Sequence, residues 1–481
     1  MSTVKFRRTK IIATLGPACT DKETLSAMID AGMDVARLNF SHADHPTHEK
    51  SLKTVRELNK EKGSHIAILQ DLQGPKIRIG VLKDDVPIKP GDRITIRSDI
   101  KTQTSKAIPI IYDTFAQDVQ EGDSILIDDG KIECKVVATD KAHEVILEII
   151  HGEVIKSRKG VNLPTTNISV PTITEKDFKD IDFAIKHNVE WLALSFVRTA
   201  DDIRVLKELI RLKNGSSRII AKIEKPEALK NIEEIIHSAD GIMIARGDLG
   251  VEIPMEEVPA WQKRIIKMCN HLSKPVIVAT QMMESMITSP RPTRAEANDV
   301  ANALVDGADA VMLSGETSVG KYPIRVVESM DKILSSVEKE DDSIYYKLLD
   351  KLSPEAEPLS SSIITTACKL ANETNANAII GMTYSGYTAL ELSRCRPKAH
   401  IYAFTHNKAI LNTLNLVWGI KAFYYDKTES TDKTIQDVHE ILKKNGLVSP
   451  GDIIINTGSM PLDEQGLTNM IKISRIKGMK A

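Results

Sequence analysis

Short apolar runs recur along the chain and alternate with stretches of helical pattern. Eight of these runs are nearly continuous in Val, Ile, Leu and Ala, as strands of a parallel sheet covered on both faces are. They are KIIATLG, DVARLNF, HIAILQD, WLALSFV, RIIAKIE, GIMIARG, PVIVATQ and AVMLSGE. The intervening helical patterns include residues 21–31, 175–188, 201–213 and 228–238. Eight strands, most followed by a helix, predict a (β/α)8 barrel, whereas the alternative, an open doubly wound sheet, seldom has eight successive parallel units.

Two other regions break this pattern. Strand-like pieces with turn pairs (DRITIRS, DSILIDDGKIECKVVAT and HEVILEII) follow the third apolar run and predict an inserted all-β domain. After about residue 345, the helical SSSIITTACKLANET and the apolar NAIIGMTYS, AHIYAFTH, IKAFYYD and DIIINTG predict an α/β domain with a parallel sheet. The predicted domains are a barrel of residues 1–78 and 160–345, a β-barrel lid of residues 79–159, and a C-terminal α/β domain of residues 346–481. KLSPEAEPLSSS is the candidate linker.

Composition excludes several classes of protein. The chain has 64 Lys and Arg against 66 Asp and Glu, and this near balance argues against a nucleic-acid or membrane-surface protein. Five cysteines without C-x-x-C spacing favour reduced thiols over a disulfide framework or a zinc site. No apolar stretch of about 18 residues is present. We therefore expect a soluble cytoplasmic protein.

Polar residues stand where the predicted barrel strands end, which is where barrel enzymes place their chemistry. They are Arg37, Asn39, Ser41, Asp71, Lys222, Glu224, Arg246, Gly247, Asp248, Thr280, Ser314 and Glu316. Lys222 and Glu224 are two positions apart, so both side chains face the barrel mouth, where Asp248 of the next strand can meet them. Two carboxylates with open positions suit Mg²⁺, and a nearby lysine and arginine suit a phosphorylated substrate that carries a carboxylate. The alternative is a structural Lys222–Glu224 ion pair.

Long motifs in the same segments make the chain similar to the pyruvate kinases. They are TKIIATLGPA, MDVARLNFSH, DLQGPKIR, KGVNLP, AKIE, GIMIARGDLGVEIP, ATQMMESMI, RPTRAEANDVANALVDGADAVMLSGETSVGKYP and GDIIINTG with a later GLTN. They run in family order over almost the whole chain. The resemblance implies a barrel, an inserted β-domain and a C-terminal α/β domain. It also implies Mg²⁺-dependent phosphoryl transfer from phosphoenolpyruvate to ADP, giving pyruvate and ATP, with Mn²⁺ as an alternative ion.

The resemblance also implies roles for single residues. Lys222 would neutralise the transferring phosphoryl group and the enolate, and Glu224 and Asp248 would hold the metal ion. The other implied roles concern the substrate phosphate (Arg37), the substrate carboxylate (Ala245, Arg246 and Gly247), the enolate and its proton (Thr280, Ser314 and Glu316), and the nucleotide (Asn39, His42, Arg78 and Lys159). A hinged lid would close over the site and exclude water.

One position departs from the family pattern. Where most relatives carry an acidic residue two positions before the arginine of GPxIR, this chain has Lys76. The resemblance puts a K⁺ site at Asn39, Ser41, Asp71 and the main-chain oxygen of residue 72. An ammonium can supply the same single positive charge, so we expect an enzyme that does not require K⁺. The alternative is that Lys76 points to solvent and that K⁺ still binds through Asn39, Ser41 and Asp71.

The stretch TYSGYTA, residues 383–389, predicts a phosphate nest because hydroxyls and backbone N–H groups meet at a helix start. Its candidate residues are Thr383, Ser385, Gly386, Tyr387 and Thr388, and a plain strand–helix turn is the alternative. The family binds sugar phosphates at the matching loop. The late loop NTGSMPLDEQGLTN contains no Arg or Lys, which favours a sugar monophosphate or AMP over a bisphosphate.

Two further functions stay open at the level of sequence. A barrel lyase or mutase also stabilises an enolate with Mg²⁺ but does not need Arg78, Lys159 or a lid, and an effector-binding protein without activity does not need the charged mouth. The family resemblance also implies a homotetramer.

Overall fold

The computed structural model describes residues 6–346, 348, 357–427, 429–460 and 468–478. Strands and helices are numbered here in chain order over these residues. The strands are β1 (Lys10–Thr14), β2 (Val35–Asn39), β3 (Ala67–Asp71), β4 (Arg78–Ile79), β5 (Val86–Pro87), β6 (Arg93–Arg97), β7 (Ile108–Ile111), β8 (Ser124–Ile127), β9 (Ile132–Thr139), β10 (Glu144–His151), β11 (Val154–Ile155), β12 (Val161–Asn162), β13 (Trp191–Leu194), β14 (Arg218–Ile223), β15 (Gly241–Ala245), β16 (Val276–Ala279), β17 (Ala310–Leu313), β18 (Ala378–Met382), β19 (His400–Thr405), β20 (Ile420–Tyr424), β21 (Ile453–Gly458) and β22 (Met470–Arg475).

The helices are α1 (Lys22–Ala31), α2 (His45–Lys62), α3 (Phe115–Asp118), α4 (Glu175–Lys186), α5 (Ala200–Leu212), α6 (Pro226–Lys230), α7 (Ile232–Ser238), α8 (Arg246–Glu252), α9 (Val258–His271), α10 (Arg294–Asp306), α11 (Gly315–Ser318), α12 (Pro323–Glu340), α13 (Pro358–Glu373), α14 (Tyr387–Arg394), α15 (Lys408–Thr413) and α16 (Thr431–Lys444). In the described residues, no helix is both long and apolar enough to cross a membrane.

Eight parallel strands close into a barrel in the order β1-β17-β16-β15-β14-β13-β3-β2, which confirms the predicted (β/α)8 fold. Apolar side chains such as Trp191, Ile220 and Met243 fill its interior and are fully buried. Leu416, from the C-terminal region, belongs to the same cluster. The Trp191 indole donates to the carbonyl of Thr413 (3.2 Å), so the C-terminal region covers the amino end of the barrel and leaves the carboxyl end to the site.

The predicted helix at 228–238 is the clearest local difference. It starts earlier, at Pro226, because proline is well placed at the first position of a helix. It is then interrupted at Asn231, whose side-chain amide donates to the carbonyl of Arg198 (2.9 Å). Two short helices, α6 and α7, therefore replace one.

The inserted region forms a seven-stranded sheet in the order β12-β8-β9-β10-β6-β7-β4, with a separate β5/β11 pair. A bridge between Arg78 and Gly160 joins the two ends of this order, so the sheet wraps around its own apolar core. That core extends from Ile77 to Leu163. The four-residue helix α3 is the one helical element of the described lid, and the limits 79–159 stay a prediction.

The C-terminal region has a five-stranded sheet in the order β20-β19-β18-β21-β22. The prediction of a parallel sheet is confirmed for four strands, but the edge strand β22 pairs antiparallel to β21 and was not predicted. Parts of the proposed linker (351–356) and of the late loop (461–467) lie outside the described residues, as do residues 347 and 349–350 beside the proposed 345/346 boundary.

Candidate active site

Lys222 and Glu224 lie side by side at the carboxyl end of β14. The alternation of side chains along the strand turns both toward the mouth, and Lys222 Nζ is 2.8 Å from Glu224 Oε1. The second carboxylate oxygen of Glu224 accepts the backbone N–H of Phe196 (2.8 Å). Lys222 Nζ also donates to the hydroxyl of Ser195 (2.8 Å). The ammonium and the carboxylate are therefore both held in one orientation.

Asp71, at the end of β3, joins Lys222 to Arg37. Its Oδ1 lies 3.1 Å from Lys222 Nζ, and its Oδ2 accepts two N–H groups of Arg37 at 2.7 and 2.8 Å. A third N–H of Arg37 donates to the Thr14 hydroxyl (2.8 Å). Asp71 is 1% exposed, so this carboxylate orients both cations from a site with little water.

The pKa values follow from burial and from these contacts. Burial raises the pKa of Asp71, but Lys222 and Arg37 more than reverse this, and its pKa lies below the ordinary aspartate value. Burial lowers the pKa of Lys222, yet the carboxylates around it, Asp71 first, hold its pKa well above the ordinary lysine value. Lys222 is therefore a permanent cation at neutral pH.

Asp248 lies on α8, the helix that follows the adjacent strand β15. Burial raises the pKa of Glu224, Lys222 lowers it, and the charge of Asp248 raises it again, so the net pKa lies above the usual glutamate value. Asp248 is thus close enough to Glu224 for electrostatic repulsion, which a cation between them relieves. In the part of the chain that the structure describes, no three His, Cys, Asp or Glu side chains form a metal cage. Two carboxylates leave room for water and substrate oxygens, and this donor set fits Mg²⁺.

The start of α8 meets the turn after β16. The N–H of Gly247 donates to the Thr280 hydroxyl (2.7 Å), and that hydroxyl donates to the Ala279 carbonyl (2.5 Å). Thr280 has a φ of 70° and Gln281 has a φ of 55°, so the backbone of two consecutive non-glycine residues lies in the left-handed region. Such strain is typical of functional turns.

The side chain of Arg246 supports this turn. It donates to the Thr280 carbonyl (2.8 Å) and pairs with Asp299 (2.7 Å). The Arg246 guanidinium therefore holds the turn after β16.

Ser314 and Glu316 lie together at the end of β17. The buried Glu316 carboxylate accepts the backbone N–H of Ser314 (2.7 Å) and that of Met283 (3.2 Å). Glu316 therefore fixes the loop after β17 against the loop after β16.

The predicted nucleotide residues lie around the base of the lid. His42 is within electrostatic reach of Lys76, Arg78 and Arg37, and burial followed by these charges lowers its pKa. Asn39 accepts the backbone N–H of Ser41 (3.1 Å), which shapes the loop that leads to His42.

The remaining predicted nucleotide residues are Arg78, where the barrel leads into the lid, and Lys159 of the lid. Arg78 donates to the carbonyl of Arg158 (3.1 Å). Lys159 pairs with Asp128 of the lid (2.9 Å), and this hydrogen bond raises the pKa of Lys159.

Lys76 is exposed, and its side chain lies toward Gly160, where an added Cβ would be 3.8 Å from Lys76 Cε. In the described residues, the structure contains no ion pair between Lys76 and Asp71. Asp71 instead uses its two oxygens for Arg37 and Lys222. The Lys76 charge thus reaches His42, but in the described residues its ammonium makes no hydrogen bond or ion pair with Asn39, Ser41 or Asp71, the side chains of the predicted ion site.

The predicted effector residues come together at the start of α14. The Thr383 hydroxyl accepts the N–H of Gly386 (3.0 Å), and the Ser385 hydroxyl accepts the N–H of Tyr387 (3.4 Å). The buried Thr388 hydroxyl bonds to that of Thr468 (2.9 Å). Two of the hydroxyls thus satisfy the first amides of the helix themselves.

Sequence reasoning missed several supporting groups. Hydroxyls at strand ends often only satisfy backbone groups, yet the Ser195 hydroxyl orients Lys222 and the Thr14 hydroxyl orients Arg37. Arg218, at the start of β14, donates to the carbonyl of Ser385 (2.7 Å) and was also missed. The position of Thr14 at the end of the first strand is the signal that could have identified it.

Comparison with known proteins decides the family. A family model described as "Pyruvate kinase, barrel domain" matches residues 6–327, and one described as "Pyruvate kinase, alpha/beta domain" matches residues 361–474. The chain belongs to the pyruvate kinase family. It is 42% identical to a pyruvate kinase of Geobacillus stearothermophilus, over 99% of this chain and 81% of that protein. It is 43% identical to one of Staphylococcus saprophyticus, over 97% of this chain and 80% of that protein.

A solved structure supports the same assignment. The crystal structure of a pyruvate kinase from Cryptosporidium parvum superposes with a TM-score of 0.91 at 37% identity and covers 98% of this chain and 96% of its own. The predicted phosphotransferase activity is thereby confirmed. The enzyme transfers the phosphoryl group of phosphoenolpyruvate to ADP and forms pyruvate, and like its family it uses a divalent metal ion.

Proposed function

We propose that Lys222 is the main charge stabiliser of this pyruvate kinase reaction and that Glu224 and Asp248 hold its Mg²⁺ ion, for which Mn²⁺ can substitute. The observation that carries this proposal is the fixed Lys222 ammonium, which meets Glu224 at 2.8 Å and Asp71 at 3.1 Å in the barrel mouth. When bound, the ion supplies positive charge to the enolate oxygen and carboxylate. Phosphoryl transfer depends on positioned charge, and a lysine that fixed partners hold in place provides it without reorganisation.

Substrate binding follows from the neighbouring groups. Arg37, oriented by Asp71 and Thr14, binds the phosphate of phosphoenolpyruvate. The backbone at Ala245–Gly247 receives its carboxylate, and the Gly247 N–H then gives up its bond to the Thr280 hydroxyl. This exchange keeps the Gly247 N–H hydrogen-bonded with and without substrate.

The proton that completes pyruvate comes from the side of Thr280. Its hydroxyl lies at the strained turn, and Ser314 and Glu316 hold the adjacent loop. We assign Thr280 to the enolate carbon and the Ser314–Glu316 pair to the proton path. Because Glu316 accepts two backbone N–H groups, it acts through the loop geometry at least as much as through proton exchange.

ADP occupies the basic side of the mouth. Asn39 and His42 are on the barrel side, Arg78 is at the hinge, and Lys159 comes from the lid. Positive charge from both sides of a hinge suits a nucleoside diphosphate because lid closure then brings phosphate and cation together.

A coupled assay of ATP formation from phosphoenolpyruvate and ADP tests the proposal against its alternatives. A lyase or mutase consumes phosphoenolpyruvate without forming ATP, and a protein that only binds effectors does neither. The Glu224→Gln variant is expected to lose Mg²⁺-dependent turnover and to bind Mn²⁺ more weakly. A variant with unchanged Mn²⁺ affinity would show that the ion lies elsewhere.

We further propose that K⁺ is not required, because Lys76 adds a positive charge to the loop that contains Asn39, Ser41 and His42. Its influence on the pKa of His42 supports this location. Like charges repel more strongly as they come closer and lose water, so the Lys76 charge disfavours K⁺ at this loop. Activity is measured without Na⁺ or K⁺, with a bulky organic cation at constant ionic strength. Strong stimulation by K⁺ contradicts the proposal, and Lys76→Glu is expected to introduce K⁺ dependence.

The C-terminal domain binds a phosphorylated activator in the proposed scheme, at the loop of Thr383, Ser385, Gly386, Tyr387 and Thr388. Gly386 has a φ of 92° and is the N-cap residue of α14. A sugar monophosphate or AMP is favoured. Titration of each, and of fructose 1,6-bisphosphate, at subsaturating phosphoenolpyruvate distinguishes them, and activation by the bisphosphate alone rejects the preference.

Two other assignments complete the proposal. The enzyme is a cytoplasmic homotetramer, as expected for a glycolytic enzyme of this family. Sedimentation of the purified protein tests the oligomer, and a dimer or monomer at micromolar concentration contradicts it.

A further inference from the structure

A buried polar cluster lies directly behind the metal residues. Lys225 follows Glu224 in the chain, and because side chains alternate along extended backbone it points away from the mouth. Its Nζ lies 2.5 Å from Glu252 Oε1, and the side chains are 5% and 1% exposed. Asn162 donates its side-chain amide to the same oxygen (2.8 Å). We call these three residues the hinge cluster.

The hinge cluster connects three elements that the reaction has to align. Lys225 is covalently next to Glu224, and Glu252 ends α8 one helical turn after Asp248, on the same face. Asn162 belongs to β12, a strand of the lid sheet that pairs with β8. The lid also approaches α8 at Gly130, because a Cβ added to this glycine would lie 3.9 Å from the Val251 side chain.

The charges in the hinge cluster make it sensitive to change. Glu252 Oε1 accepts both bonds, and Glu252 Oε2 is buried without a hydrogen-bond partner in the described part of the chain. Removing Lys225 therefore leaves a buried carboxylate that depends on one neutral amide. Breaking a buried ion pair from one side is far more costly than replacing both partners.

We propose that Lys225, Glu252 and Asn162 are positioning residues, which set the distance between Glu224 and Asp248 and couple that distance to the docked lid. The proposal rests on the proposed metal role of Glu224 and Asp248. Lys225 ties the end of β14 to α8, and Asn162 ties the lid to the same carboxylate. Docking of the lid thereby favours the arrangement in which both metal carboxylates face each other.

The lid arm of the experiment compares Asn162→Ala with Ser157→Ala by hydrogen exchange of β8 and β12 in the full chain. Ser157 is the matched control, because its hydroxyl accepts the N–H of Leu82 within the lid and does not reach the barrel. A hydrogen bond to a charged acceptor has a net value that corresponds to about ten- to a hundredfold in an equilibrium. We expect exchange about tenfold faster in Asn162→Ala than in Ser157→Ala, and equal rates overturn the coupling to the lid.

The metal arm measures the dissociation constant of Mn²⁺ alone from the paramagnetic signal of the free ion. Lys225→Met is expected to raise this dissociation constant about tenfold and to accelerate hydrogen exchange in the lid. Lys225→Arg keeps the positive charge and is expected to leave both quantities close to those of the wild type. If Lys225→Met destabilises the fold, the double variant Lys225→Met/Glu252→Gln removes the uncompensated charge and retains the acceptor for Asn162. That variant is expected to recover thermal stability but not Mn²⁺ affinity.

The outcomes separate this proposal from the proposed metal site. Wild-type Mn²⁺ affinity in the folded double variant shows a purely structural ion pair and overturns the positioning role. If Glu224→Gln also binds Mn²⁺ as the wild type does, the metal assignment itself fails, whereas the lid arm still reports on the contact between Asn162 and Glu252.

Discussion

Replacing Asp71 by Asn tests whether one carboxylate orients both cations of the mouth. In the wild type, Oδ1 faces Lys222 at 3.1 Å and Oδ2 accepts two N–H groups of Arg37. An asparagine has one acceptor oxygen, so its NH₂ group must face one of the two cations. The variant therefore removes the charged partner that the two cations share, and it leaves Lys222 with Glu224 and Arg37 with the Thr14 hydroxyl.

The size of the effect follows from burial. Removing one partner of a buried ion pair costs about 3–5 kcal/mol, because the remaining charge stays away from water. Part of this cost appears in the stability of the fold. The displaced Lys222 ammonium is expected to lower turnover by about 10²–10³, the usual effect of losing one positioned charge donor.

The assay measures ATP formation and thermal unfolding for Asp71→Asn and for a matched control, Asp309→Asn. Asp309 is also buried and paired with an arginine, Arg396, but it precedes β17 at the opposite end of the barrel. Both variants are expected to lose stability, and Asp71→Asn alone to lose turnover by the larger factor. Equal losses of turnover in the two variants would refute the reasoning.

The pH dependence gives a second check on Asp71. Because its folded pKa lies below the ordinary value, the ionised carboxylate contributes stability above about pH 4, and this contribution is lost as the pH falls further. The Asp71→Asn variant lacks this contribution. Its free energy of unfolding is therefore expected to fall less steeply than that of the wild type below about pH 4, as measured by denaturant titration.

Three further outcomes are expected. Gly247→Ala places a Cβ 3.3 Å from the Thr280 hydroxyl and is expected to raise the KM for phosphoenolpyruvate several-fold with little change in thermal unfolding, as steady-state kinetics will show. Gly320→Ala places a Cβ 2.2 Å from the Glu316 carbonyl and is expected to lower stability by about 1–3 kcal/mol or more, as measured by denaturant titration. His42 has a lowered pKa and is neutral at pH 7, so His42→Asn is expected to leave the pH dependence of the KM for ADP above pH 7 unchanged.

The barrel was predictable because its strands are buried on both faces and read as uninterrupted apolar runs. The approach of Lys222 to Glu224 was also predictable, because side chains two positions apart on a strand lie on the same face. Asp71 could be placed at the correct end of the barrel, but its bond to Lys222 depends on strand order and register. β3 pairs with β13, and β13 pairs with β14, and neither pairing can be read from the composition of a strand.

Other features depend on contacts between distant segments. The break of the predicted 228–238 helix at Asn231 comes with a bond to Arg198, and β22 forms only by pairing with β21. The Arg246 guanidinium bonds to the carbonyl of Thr280, which lies in a turn with a positive φ. Nothing in the residue type of Thr280 predicts that backbone angle. The local sequence pattern therefore predicted the strands, the helices and the end of the barrel that carries the site. Which side chains contact each other there depends on pairing between strands that are distant in sequence.

The most direct measurement of the central claim is ATP formation by Lys222→Met with phosphoenolpyruvate, ADP and Mg²⁺. Methionine matches the length of the lysine stem and removes the ammonium that Asp71, Glu224 and Ser195 hold in the mouth. We predict that turnover falls by about 10²–10³ or more, while circular dichroism shows an intact fold. Turnover close to that of the wild type in a folded Lys222→Met protein would contradict the account.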